Sequence, residues 1–218
     1  MEELIFNYSD KFPVKTARFA NVAFSNGSLP AGFLERMQKQ QPLSAPKDVR
    51  RYFVSLEESG QICMLACMLG KSREIFFPKL EEKQMMSFDR IAIELLKGQG
   101  YTVLECGSEE EAVDEAEKLK VGSRQYPVYF SASDTSGEKS FEEFYTEEEE
   151  LDQDRFSALG VITGKRIPDR KGLEIVLKKL TAAFDQNDVK KEDIVKIIKS
   201  YLPNFEHIET GKSLDNKM

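Results

Sequence analysis

The chain has no tryptophan and one histidine, His207, so imidazole chemistry would rest on a single residue near the C-terminus among Asn204, Phe205 and Glu206. Its three cysteines, Cys63, Cys67 and Cys106, are an odd count without framework spacing, which argues against a disulfide scaffold. Cys63 and Cys67 stand one helical turn apart inside Ile62-Cys63-Met64-Leu65-Ala66-Cys67-Met68-Leu69. With no further soft or imidazole ligand nearby they read as core packing, and no metal site is expected. No apolar run approaches the roughly 20 residues that span a bilayer, and Met1-Glu2-Glu3 is acidic where a secretory signal is basic. The expectation is a cytoplasmic protein with no membrane partner. A basic footprint is lacking as well: 31 Lys and Arg face 38 Asp and Glu, for a formal charge of -7, so no nucleic acid is expected as a partner.

A dinucleotide-binding signature is also missing. Gly98-Gln99-Gly100 follows a helical pattern and precedes a strand, the reverse of a dinucleotide fingerprint, and Val103 stands where its third glycine belongs. None of the seven tyrosines has a lysine four residues later.

What is present is a chain of 218 residues, 40% hydrophobic, enough for a packed α/β core. Its organising stretch is Val14 to Pro30, VKTARFANVAFSNGSLP. Val14 to Phe24 is largely apolar or small and runs into the turn Ser25-Asn26-Gly27-Ser28, which reads as one buried parallel strand ending in a loop. Open α/β sheets bind ligands beyond the carboxyl ends of their strands, so this turn is where a site is expected.

Around that stretch, Leu4, Ile5 and Tyr8 predict a helix closed by Pro13, one that begins without a capping residue and so suggests a missing upstream segment. Phe33, Leu34 and Met37 form the apolar stripe of a helix over Pro30 to Gln41. Ser55-Leu56-Glu57-Glu58 has capping-box spacing and opens a helix so apolar from Ile62 to Leu69 that burial on most of its circumference is expected. Arg50 and Arg51, just ahead of it, are a solvated pair or a phosphate clamp. Glu74 to Phe77 predicts a strand, and Phe88, Ile91, Ala92, Leu95 and Leu96 an amphipathic helix. Residues 101 to 130 predict a βαβ unit around a second capping box at Ser108. The acidic stretch from Ser131 to Asp154 lacks the alternation of a calcium loop. Two helices follow, on Leu173, Val176, Leu177, Leu180 and Phe184, and on Ile194, Ile197, Ile198 and Tyr201. The expected division is an α/β region over 1–168, a helical pair over 169–206 and a flexible tail over 207–218.

Several of these segments resemble one family. Arg18-Phe19-Ala20-Asn21-Val22, Ser25-Asn26-Gly27-Ser28-Leu29, Val49-Arg50-Arg51-Tyr52-Phe53, and Gly137-Glu138-Lys139 with Phe141-Glu142-Glu143 look like the C-terminal half of extended short-chain dehydrogenases. The UDP-N-acetylglucosamine 4,6-dehydratases of polysaccharide biosynthesis are most similar. The resemblance covers about residues 1 to 145. It implies the substrate-binding part of a Rossmann-like fold without its nucleotide-binding half; the C-terminal helices that follow rest on the apolar pattern alone. It further implies that Asn21, Gly27, Ser28 and Leu29 touch the sugar and diphosphate, that Arg51 clamps the diphosphate, and that Glu138 bonds the uridine ribose. The full-length family uses NAD or NADP to oxidise the sugar at C4, eliminate water across C5 and C6 and return the hydride to C6. Its catalytic Tyr and Lys would lie just upstream of Met1, so this chain alone is expected to bind no cofactor and to be inactive. Its expected partners are a nucleotide sugar and a second copy of itself; the alternatives are a non-enzymatic interaction module and the same half of an epimerase.

Overall fold

The computed structural model describes residues 1–133, 142–164 and 169–209. They form a mixed α/β fold with parallel sheets whose residues group into two units, neither continuous in sequence. The first unit comprises Met1–Arg18, Ile62–Phe77 and Tyr145–Thr210, and the second Phe19–Gln61 with Pro78–Phe144.

In the first unit a four-stranded sheet runs in the order β1 (Thr16–Ala17), β6 (Ile75–Pro78), β11 (Leu159–Ile162), β10 (Leu151–Asp152). The β1–β6 pair is parallel and the β10–β11 pair antiparallel. Four consecutive residues of β6 and four of β11 are buried, the pattern of strands covered on both faces. Phe76, Leu159 and Val161 pack there with Ile62 and Ala66 of α3 (Leu56–Leu69). The same unit holds α1 (Glu2–Phe6), α6 (Arg170–Phe184) and α7 (Lys191–Lys199).

In the second unit β3 (Leu43–Pro46), β9 (Gln125–Ser131) and β8 (Thr102–Cys106) form an all-parallel sheet in the order β3-β9-β8. With α5 (Glu109–Glu117) between β8 and β9, the predicted βαβ unit is present. Ser108 caps α5 by accepting from the Glu111 N–H, while the Glu111 carboxylate accepts from the Gly107 N–H at 2.6 Å, one residue before the reciprocal bond of an ideal capping box. Phe33 of α2 (Leu29–Gln38) and Ala92 and Leu96 of α4 (Phe88–Gly98) fill the core with Leu43, Ala45 and Val128.

Three expectations are corrected. The stretch from Val14 to Phe24 is two strands, not one: β1 pairs with β6, whereas β2 (Asn21–Val22) pairs with β5 (Phe53–Val54) in a separate parallel ladder. The chain leaves the first sheet at Arg18, whose side chain is held by carboxylates, so the apolar run is interrupted where it changes partner. Helix α3 is not buried on most of its circumference. Ile62 and Ala66 are buried, but Cys63, Met64, Leu65, Cys67, Met68 and Leu69 are exposed. In α1, which ends at Phe6, that residue is buried and Leu4 and Ile5 are exposed, as is Tyr8 in the turn that follows.

Candidate functional site

The β2–β5 ladder matches Asn21 with Phe53 and Val22 with Val54. Strand side chains alternate between faces. Ala20, Val22, Tyr52 and Val54 pack as one apolar cluster with Leu80, Met85 and Phe144, which leaves Asn21, Arg51 and Phe53 to the opposite face. Phe53 meets the Phe88 ring of α4 edge-on at 6.0 Å. Arg51 is fixed by its place in β4 (Arg50–Arg51), paired antiparallel with β7 (Met86–Ser87), and its Nη1 donates to the Arg50 carbonyl at 2.9 Å. Arg50 is the more exposed of the pair and reaches Glu82 at 3.7 Å.

Beyond the carboxyl end of β2 the chain turns tightly. Ser25 N–H bonds the Val22 carbonyl, Ser28 N–H bonds the Ser25 carbonyl, and Phe24 and Gly27 have φ of 57° and 77°. A side chain at Gly27 would meet nothing within 4 Å, so the backbone angle and not crowding favours glycine there. The Ser28 hydroxyl accepts from the Ala31 N–H and caps α2, while the Leu29 side chain packs against the main core of this unit. What Ser28 and Leu29 can offer a ligand is therefore chiefly backbone at a helix N-terminus, where N–H groups attract anions.

The residue that sequence reasoning gave no role is Glu142. Phe144, two residues on, stacks on Tyr52 at 5.6 Å between ring centres and so anchors this segment to the β2–β5 cluster. Glu142 is thereby brought to Asn21, whose Nδ2 donates to its Oε1 at 2.7 Å. Burial lifts the Glu142 carboxyl above its usual range, and the Arg51 charge, the Asn21 amide and the Tyr52 backbone only partly offset this. Asn21, Arg51 and Glu142 thus form one cluster, with Gly27, Ser28 and Leu29 on the loop that leaves β2. Glu138 lies outside the described residues. Phe141-Glu142-Glu143 belongs to the segment that carries the family resemblance, but 121 residues separate Glu142 from Asn21 and no spacing rule could pair them.

A cavity of about 840 Å³ lies in the first unit, lined by Phe6, Ile75, Ile162 and Tyr201 and by Glu2, Glu149 and Arg18 among its polar groups. Arg18 is already bidentate to Glu2 and to Glu149, at 2.7 to 2.9 Å. These groups satisfy one another, which is the pattern of a structural ion-pair network. No group of His, Cys, Asp and Glu among the described residues is arranged to hold a metal ion.

Three comparisons bear on this geometry. An uncharacterized membrane protein of Methanocaldococcus jannaschii is 27% identical over 196 residues, which are 88% of this chain and 51% of that protein. The X-ray structure of Pen from Bacillus thuringiensis superposes with a TM-score of 0.56 at 19% identity, over 92% of this chain and 55% of that one, a likeness of fold. The chain thus spans about half the length of the relatives it matches. The archaeal relative overturns the cytoplasmic placement read from the sequence. That placement rested on the lack of an apolar span, and although no helix among the described residues is long and apolar enough to cross a membrane, this does not speak for the half of the relative that the chain does not cover. A family model described as polysaccharide biosynthesis protein matches residues 2–163, three-quarters of the sequence, and the chain belongs to that family.

Proposed function

We propose that this chain is the nucleotide-sugar-binding half of a polysaccharide-biosynthesis 4,6-dehydratase, taking a UDP-N-acetylglucosamine-like ligand and performing no hydride chemistry alone. The observation that carries the reading is that Asn21 pairs with Phe53 and that Arg51, two residues before Phe53, shares its face, ahead of the Gly27–Ser28 turn into α2. A guanidinium fork beside a helix N-terminus suits a diphosphate, and an amide–carboxylate pair suits hydroxyl groups. NAD or NADP is the cofactor of the longer family members. Gly27 and Gly107 stand alone in the turns that precede α2 and α5, where a dinucleotide needs three glycines at fixed offsets, so the described residues do not fit its pyrophosphate.

Titration with UDP-N-acetylglucosamine tests the reading. Arg51→Ala should weaken binding by about 10- to 100-fold, the range of a charge-assisted hydrogen bond. An unchanged affinity, or turnover to a 4-keto sugar by this chain with NAD(P), would contradict it. A second reading, a module that pairs with another copy, is favoured by the apolar face of α3, where Met64 and Met68 are 56% and 74% exposed.

A further inference from the structure

Asn21 has one carboxamide, and the fold engages its two sides differently. Its Nδ2 donates to Glu142 Oε1 at 2.7 Å and makes a second, longer bond to the Tyr52 carbonyl at 3.4 Å. An amide nitrogen has two hydrogens, so both donors are spent on acceptors of the protein. The reverse orientation would set the amide oxygen against a carboxylate and a carbonyl, two groups that cannot donate while Glu142 is ionised. Oδ1 takes no hydrogen bond among the described residues and is not among their wholly buried unpaired atoms, so its acceptor capacity is not used by them. The cluster therefore presents an acceptor to whatever binds, and the donor of the amide faces inward.

We infer that Glu142 is a positioning residue that fixes the hydrogen-bond polarity of Asn21, so that Asn21 reads an O–H or N–H donor on the carbohydrate of the ligand and makes no contact with phosphate oxygen. Phosphate oxygens carry no donor, so an Asn21 held this way leaves the diphosphate to Arg51 and to the backbone around Gly27. This rests on the nucleotide-sugar reading and sharpens it, since the resemblance alone gives Asn21 to sugar and diphosphate alike. Among the described residues the groups facing Glu142 are Arg51 from β4, Asn21 from β2 and the Tyr52 backbone. Its second oxygen, Oε2, is buried without a hydrogen-bond partner among the described residues, so Asn21 supplies the carboxyl's one side-chain hydrogen bond there.

Two measurements test it. In ¹⁵N spectra of the chain alone, the Asn21 side-chain amide protons should exchange slowly in the wild type and in Glu142→Gln, whose carbonyl still accepts, and at least 10-fold faster in Glu142→Ala. Equal exchange in all three would overturn the inference without any ligand. With ligands, Asn21→Ala and Glu142→Ala should each weaken UDP-N-acetylglucosamine about 5- to 10-fold, with no further loss in the double variant, and change inorganic pyrophosphate binding less than 2-fold, as expected for one neutral hydrogen bond. Equal losses for both ligands in Asn21→Ala would mean that the amide donates to phosphate, and would also overturn it. Failure of Arg51→Ala to weaken either ligand would instead remove the nucleotide-sugar reading, while the exchange measurement would still decide the polarity of Asn21.

Discussion

Two carboxyls that feel an arginine charge, one in each unit, are treated in opposite ways. Glu74, 4% exposed, takes both terminal nitrogens of Arg155 at 2.8 Å and the Lys71 N–H at 2.7 Å, and these bonds hold it below its usual range. Arg155 is locked further by Asp152 at 3.0 Å. Among the described residues Glu142, half-buried, has one side-chain hydrogen-bond partner and one oxygen without any, and its pKa is pushed upward. A carboxylate with both oxygens answered supports a fold, whereas one left short of partners is costly to keep ionised and is more often found where a ligand acts. On this contrast the second unit's cluster is the candidate site, and the cavity of the first unit, whose Arg18 is already satisfied by Glu2 and Glu149, is scaffold.

The widest gap between the two should appear on truncation. Glu74→Ala would leave the Arg155 guanidinium without its main partner, and a loss of about 2–4 kcal/mol in urea unfolding is expected. A loss below about 1 kcal/mol would place Glu74 in the same class as Glu142. The next largest effect is a difference in sign with pH. Because the folded state lowers the pKa of Glu74 below 4.5, its contribution is present above that value and fades as pH falls through the lowered one. Glu142 is raised, so its favourable contribution is present below 4.5 and is lost as pH rises through the raised value. At pH 7 Glu74→Gln should therefore destabilise, and the deficit should shrink on acidification. Glu142→Gln should be neutral or stabilising at pH 7, within about 1 kcal/mol. Urea midpoints from pH 7 down to about pH 3 that move in the same direction for both variants would erase the distinction.

Much of this was legible in the sequence, for identifiable reasons. Phe33, Ala92 and Leu96 announced α2 and α4 because a helix with one covered face repeats its apolar residues every turn. The Ser55–Glu58 box was visible because capping is local chemistry, and both of its bonds form, at 2.6 and 3.1 Å. The break at Arg18 was not visible, since an apolar run carries no mark of where it changes partner strand. Nor was the exposure of α3: its composition says that a helix seeks cover, not whether residues of this chain supply it. Asn21 and Arg51 came from resemblance, and Glu142 escaped because its partner is remote in sequence.

A smaller effect is expected at the turn itself. Ser28→Ala removes the cap of α2, but the bond to Ala31 is long at 3.4 Å, so about 0.5–1 kcal/mol is the expected loss. If ligand affinity falls more than stability does, the hydroxyl serves the ligand as well as the helix.

The least change in stability is expected on α3, and there the readout is association. Met64 and Met68 lie one turn apart, flanked by the exposed Leu65 and Leu69, so together they make an apolar stripe opposite the buried Ile62 and Ala66. Met68→Lys puts a charge where the side chain already meets water, and the urea midpoint should move by less than about 0.5 kcal/mol. If the stripe pairs with another copy, burying that charge would be costly, and sedimentation of the wild type should depend on concentration while that of the variant should not. Sedimentation as a monomer by both proteins would remove the pairing reading and leave the Asn21–Arg51–Glu142 cluster as the feature of this chain that points to a partner.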